Sequence, residues 1–403
     1  MKPVELNGSG TENDPYLIAS EQDWNNLANN LEAERSYQDK HFLQTADITV
    51  STMAGTNDYP FNGIYDGDGH TLTFNAGTAD AYQSEQHCAP FRYVKNATVK
   101  NLCTQGNIYT SAMFAAGLAS YVSGNFTVTN CLSNISINSS VDGDGTHGGF
   151  VARAMAGATV FTGCVFSGEL LGTTTHSCGG FVGWTETNNG ATTVFTNCLF
   201  APQACSFNSN NSKTFSRARN ESQSLSYNNA YYLSQLGGVQ GKLAHSISGG
   251  EAVTVALAEE TIEHPVSGIT ANGTGIEYNG VALASQGDNV SLTFGGTAPS
   301  GYAVSGYETS AGTLTGTENP YTLQAMPNAD VTITALYGPA DWETLNEGTE
   351  DDPYLIYNTG QWDLLSTRVN SGTGYSGKVF KLMDDISVNH GGRKQRHQFL
   401  GHL

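Results

Sequence analysis

Residues 347–403 repeat residues 9–65 at a constant offset of 338, without a gap. Gly10-Thr11-Glu12-Asn13-Asp14-Pro15-Tyr16-Leu17-Ile18 returns as Gly348-Thr349-Glu350-Asp351-Asp352-Pro353-Tyr354-Leu355-Ile356. Trp24, Leu27, Tyr37, Phe42, Asp47 and Ile48 return as Trp362, Leu365, Tyr375, Phe380, Asp385 and Ile386, and Phe61 and Gly63 as Phe399 and Gly401. Of the 41 positions from 10 to 50, 16 are identical. A unit that recurs in register over that distance belongs to a repeat architecture, in which each unit packs on its neighbours. The second copy stops at Leu403, where the first goes on to Asp66-Gly67-Asp68-Gly69-His70, so the chain is expected to be a fragment of a longer protein.

Within the unit, Pro15 to Ile18 reads as a short strand, and Ser20 with Asp23 three residues on reads as a capping box. Trp24, Leu27 and Leu31 then give the predicted helix one apolar stripe. Such a helix suits a cap over the open end of a solenoid, where unpaired backbone and apolar interior would otherwise be exposed.

A shorter period runs from about 61 to 205. Phe91, Leu118, Phe150 and Phe181 each follow a small or Gly/Pro pair, at spacings of 27, 32 and 31. Cys103, Cys131, Cys164 and Cys198 follow in step, at spacings of 28, 33 and 34. Short β segments broken by Gly and Asn at a period near 30 cannot bury an apolar face alone, and stacked coils supply the missing contacts. The predicted fold is all-β: a parallel β-helix with a short N-terminal capping helix over 1–235, a small antiparallel β-sandwich spacer over 236–338, and a truncated second β-helix start over 339–403. Alternation in Val253 to Leu257, Val290 to Phe294 and Val331 to Ala335 supports the sandwich. The last 57 residues, lacking coils of their own, are expected to be the least protected in hydrogen exchange.

Composition narrows the partners. Seventeen Lys and Arg against 37 Asp and Glu leave a formal charge of −20, which opposes nucleic acid and anionic lipid. Charged residues are only 13% of the chain while glycines number 47, the balance of a turn-rich β protein. No run is long and apolar enough for a signal peptide or a membrane span, so a secretion signal and an anchor are expected outside this stretch, with the chain extracellular or at a cell surface and monomeric.

Gly10-Thr11 with Asp14 to Ile18, then Phe61-Asn62-Gly63-Ile64-Tyr65-Asp66-Gly67-Asp68-Gly69-His70-Thr71-Leu72, then the Gly-Gly-Phe-Val coils, resemble the GLUG-motif bacterial surface proteins over about 10–235. The resemblance implies a right-handed, pectate-lyase-like β-helix of the kind found in adhesin-like proteins of gut bacteria and in the non-catalytic part of some immunoglobulin A proteases. It carries no catalytic residues to transfer. The coils depart from the usual Gly-Leu-Phe-Gly at Ala89-Pro90-Phe91-Arg92 and Ala116-Gly117-Leu118-Ala119. Residues 285–337 are similar to the small β repeats of internalin-type surface proteins.

Few residues suggest chemistry. Asp66 and His70 could bind a cation or move a proton, but Asp-Gly and Gly-His at a strand-to-strand corner are read first as turn residues. Asp142 and Asp144 resemble the first half of a calcium loop without its later acidic ligands, so no cofactor is expected, calcium being the alternative. The cysteine column is read as a buried ladder of small apolar thiols, since in-register Cβ atoms suit neither disulfides nor a tetrahedral metal. Cys88, His147 and Cys178, three residues before Phe91, Phe150 and Phe181, are read as packing. Tyr109, Tyr121 and Trp184 are candidate contacts for a host or dietary glycan or a surface protein. The sequence thus suggests a non-catalytic adhesion or binding protein. The alternative is a polysaccharide lyase or glycoside hydrolase, although Ala97 to Phe200 holds only four acidic residues, Asp142, Asp144, Glu169 and Glu186.

Overall fold

The computed structural model describes residues 4–250, 252–254, 261–262 and 266–386. The chain divides into two compact units, Met1–Ala244 and His245–Leu403.

The first unit is a β-solenoid of about five turns, built almost wholly of parallel strands. One wall stacks Tyr16–Ile18, His41–Gln44, Ile64–Asp66, Ala97–Lys100, Phe126–Thr129, Ala158–Thr162, Thr192–Phe200 and Leu225–Tyr232. A second stacks Ile48–Val50, Thr71–Phe74, Cys103–Thr110 and Leu132–Ser139. The third stacks Phe91–Val94, Ala119–Ser123, Val151–Ala156, Val182–Thr185 and Ser216–Ala218. Lys242 and Leu243 still pair with Tyr231 and Tyr232, and the unit runs to Ala244.

Two corner features let the coils close. Asn101, Asn130, Asn197 and Asn229 all turn at φ 52° and Gly163 at φ 62°, the left-handed conformation that Asn and Gly tolerate best. The Asn229 amide donates to Asn197 Oδ1 at 3.1 Å, so the corner residues also bond along the stack. The paired glycines serve close approach instead. A Cβ on Gly149 would lie 2.3 Å from the Gly180 carbonyl, and one on Gly180 would lie 2.1 Å from that of Thr214. Inside the bore, Phe150, Phe181 and Phe215 stack at 4.9 and 5.1 Å between ring centroids.

The cysteine ladder is one residue shorter than expected. Leu132 pairs with Val165 and Val165 with Leu199, which puts the preceding Cys131, Cys164 and Cys198 in one buried column. Leu132 also pairs with Cys103, so Leu102 rather than Cys103 fills the column position in the earlier coil. Leu102 is accordingly buried, while Cys103 lies beside Thr71 and is half-buried. A one-residue slip reverses the side on which a strand residue points.

The cap forms as expected. Ser20 Oγ accepts from the Asp23 amide at 3.2 Å and the Asp23 carboxylate accepts from the Ala19 amide at 3.1 Å, starting the helix Glu21–Glu32. Trp24, Leu27 and Leu31 are buried along its one stripe. Trp24 packs edge-on against Phe91 at 5.2 Å and donates its indole N–H to the Thr52 carbonyl at 2.8 Å.

The second unit holds two sheets and a second cap. Ser267–Gly273, Val290–Gly295, Tyr321–Gln324 and Thr313–Thr315 form an antiparallel sheet. The other sheet is not wholly antiparallel as expected. Val331–Pro339 pairs antiparallel with Tyr302–Thr309 but parallel with Ile247 to Gly249. More than 80 residues separate Ile247 from Val331, ample chain for the crossover that a parallel pair requires. Val290, Leu292, Leu323, Val331 and Ile333 fill the core between the sheets. Of the expected strand Val253 to Leu257, only Val253 and Thr254 are among the described residues, within the strand Ala252–Thr254.

The second cap copies the first in register. Its strand Tyr354–Ile356 and helix Thr359–Asn370 are Tyr16–Ile18 and Glu21–Glu32 moved by 338. Tyr354 and Phe380 lie 5.1 Å apart where Tyr16 and Phe42 lie 5.3 Å apart. Asn358 and Gln361 replace Ser20 and Asp23 in the capping box, with Asn358 Oδ1 accepting from the Gln361 amide at 2.9 Å. Trp342, Tyr354, Ile356, Leu365 and Phe380 form a small core over residues 342–386. The repeat positions Phe399 and Gly401 lie outside the described residues.

Candidate functional site

The third wall sends one column of large side chains outward. Tyr93 pairs with Tyr121, Tyr121 with Arg153, and Arg153 with Trp184, one residue per coil. All four are half-buried. Alternation along each strand places them opposite the buried Val94, Val122 and Ala154. Beside the column, the short strands His87–Cys88 and Phe114–Ala115 add two more rings. His87 stacks on Phe114 at 4.9 Å and meets Tyr93 and Tyr121 at 5.0 and 5.3 Å.

This strip opens into a groove of about 360 Å³ lined by Arg153, Trp184, Arg217 and Arg219 together with Asp144 and Glu186. Short strands position these groups: Asp144 ends Gly143–Asp144, Arg217 sits in Ser216–Ala218, and Glu186 caps the 3-10 turn Thr187–Asn189. The Arg217 guanidinium lies over the Trp184 ring at 5.0 Å, donates to the Ser177 carbonyl and faces Asp144 at 3.7 Å. Burial lowers its pKa, with Asp144 opposing that shift. Asp144 accepts from the Thr146 hydroxyl at 2.5 Å. Glu186 accepts from the Trp184 indole N–H at 3.1 Å and from the Asn188 amide at 3.2 Å. The Arg153 guanidinium lies over Phe114 at 4.7 Å, and the side chain makes no ion pair or hydrogen bond among the described residues.

The sequence candidates fall in different places. Tyr121 and Trp184 share the outward column, but Tyr109 lies on the second wall in Cys103–Thr110, edge-on to Tyr82 at 5.6 Å. Asp66 and His70 sit at a coil corner, each engaged elsewhere. Lys100 Nζ lies 2.9 Å from Asp66, whose Oδ1 also accepts from the Asn101 amide group at 3.0 Å. Burial pushes the Asp66 carboxyl up, but these hydrogen bonds outweigh it and hold it below the usual range. His70 Nδ1 faces Asp47 at 3.3 Å, and Asp68 turns at φ 49° between the two candidates. Asp142 is exposed, while Asp144 lines the groove against Arg217. Among the described residues no cluster of three or more His, Cys, Asp or Glu side chains is placed to hold a metal ion.

Tyr93, Phe114, Arg153, Arg217 and Arg219 were not among the sequence candidates. A signal was present: Tyr121, Arg153 and Trp184 each lie three residues after Leu118, Phe150 and Phe181.

The sequence matches no family model and no curated protein. Among solved structures, the chain is similar to one described as a putative immunoglobulin A1 protease from Bacteroides ovatus. The two are 17% identical with a TM-score of 0.35, over 58% of this chain and 86% of that one. Nothing about this chain's chemistry is carried over from that likeness.

Proposed function

We propose that this chain is a non-catalytic repeat protein of a bacterial surface, of the GLUG-motif kind, that binds glycan or protein along one solenoid wall. The supporting observation is the outward column Tyr93, Tyr121, Arg153 and Trp184, one large side chain per coil. Rungs of a parallel sheet repeat every ~4.8 Å, so the four side chains span ~14 Å of wall. Large half-buried aromatics aligned over such a distance offer a linear ligand flat contact at little entropic cost. No helix among the described residues is long and apolar enough to cross a membrane. A secreted or surface location is part of the proposal.

The lyase or hydrolase reading keeps one specific support: the fold brings Asp144, Glu186 and Arg153 into a single groove. Both carboxylates are engaged by neighbouring groups, Asp144 by Thr146 and Glu186 by Trp184 and Asn188. The two readings part on one experiment, in which the chain is applied to a panel of plant and host glycans. Retention without release of reducing ends or unsaturated products is the expected result. Turnover that disappears in Glu186→Gln would replace the binding reading with the enzymatic one.

A further inference from the structure

We infer that the groove between Arg153 and Arg219 receives the carboxylate of an acidic sugar within a linear oligosaccharide laid along the third wall. The inference rests on the binding reading proposed for this wall and names its ligand class.

Three of the chain's eight arginines line this one groove, in a molecule of net charge −20. Arg153 is the sole Lys or Arg between Lys100 and Lys213, and the fold sets it with Arg217 and Arg219 from a later coil. Their roles differ. Arg217 is committed to Trp184, the Ser177 carbonyl and Asp144. The side chains of Arg153 and Arg219 have no ion-pair or hydrogen-bond partner among the described residues. Arg153 is half-buried with its guanidinium over the Phe114 ring, and its N–H donors have no partner among the described residues. A half-buried cation in that state gains most from an anion that reaches it.

The two carboxylates do not cancel this preference. Asp144 and Glu186 bring the groove's formal balance to 3 − 2 = +1, and each is already bonded to neighbouring donors. The open charge is therefore that of Arg153 and Arg219. A guanidinium presents a planar fork matched to a carboxylate, which it can hold through two parallel hydrogen bonds. The rise from rung to rung is close to the length of one pyranose, so Tyr121, Arg153 and Trp184 in successive coils meet successive sugars.

The test is calorimetric titration of the whole chain with trigalacturonate, its methyl ester and sialyllactose, at low and raised salt. The expected result is binding of trigalacturonate, of sialyllactose or of both, which distinguishes plant from host carboxylates. If trigalacturonate is the ligand, its methyl ester binds at least ten-fold more weakly. Arg153→Gln and Arg219→Gln each weaken binding ten-fold or more with an unchanged melting temperature. Arg219 is exposed, so its variant still decides the matter if Arg153→Gln impairs folding. Equal binding of acid and ester, or binding unaffected by Arg219→Gln, overturns the carboxylate inference and leaves a glycan-binding wall standing. Binding of neutral glycans alone does the same. Failure of all three oligosaccharides to bind overturns the acidic-sugar inference, and failure of the plant and host glycan panel as well overturns the glycan-binding reading itself.

Discussion

His147 shows how much one residue's role depends on its surroundings. Its ring is fully buried between coils, with Nδ1 accepting from the Ala115 amide at 3.1 Å, Nε2 placed to donate to Ser139 Oγ at 2.9 Å, and Phe207 at 5.6 Å. Burial pushes its pKa down to about 3. The folded value lies below the unfolded value of about 6.5, so the unfolded chain takes up the proton first as pH falls. The stability tied to the neutral ring is complete above pH ~6.5 and declines between there and pH ~3, by about 1.4 kcal/mol per pH unit. His87, lowered to about 4 by burial and then by Arg153 and Arg92, adds in the same direction. Urea unfolding of the first unit is expected to show a lower midpoint at pH 5 than at pH 7.5, with a smaller gap in His147→Asn. A gap of the same size in that variant would assign the acid sensitivity to other groups. The packing reading of His147 was legible from its place in a column with Cys88 and Cys178, but its hydrogen bonds were not, since Ala115 comes from the coil before and Ser139 from the end of the strand Leu132–Ser139 of the same coil.

At the level of the element, backbone clearance governs the coil more than apolar content does. The Gly-Gly-Phe-Val strings were legible as a period, yet the reason for the glycines lies in the neighbouring coil's carbonyls, 2.1 to 2.3 Å from where a Cβ would stand on Gly149 or Gly180. Gly149→Ala is expected to force adjacent coils apart and cost about 3 kcal/mol, the upper end of ordinary overpacking. Urea titration monitored by Trp fluorescence checks this, and a loss under ~0.5 kcal/mol would mean that the coil relaxes freely. Cys103 shows where an element defeats a spacing argument. From one third-wall rung to the next, the coils run 28, 32, 31 and 34 residues, from Phe91 through Ala119, Val151 and Val182 to Ser216. With lengths this uneven, matching residues by type alone slips by one, and the slip put Cys103 where Leu102 belongs.

For the whole molecule, the division at Ala244 and His245 implies that the capped solenoid carries its own core. A fragment of residues 1–244 is therefore expected to keep its near-ultraviolet circular dichroism and a cooperative melt. A non-cooperative melt would show that the solenoid depends on the second unit for its stability. Sequence alone was enough for the large plan: a capped parallel solenoid, a β module after it, and a second cap at a 338-residue offset whose helix bounds match the first to the residue. These features are local, written in capping residues, apolar stripes and coil period. Which side chains share a surface was settled only in three dimensions. Arg153 and Arg217 are 64 positions apart in the chain and line one groove, while Tyr109 and Tyr121 are 12 apart and stand on different walls. Register and corner geometry set those neighbours, and a strand residue changes face with every single step along the chain.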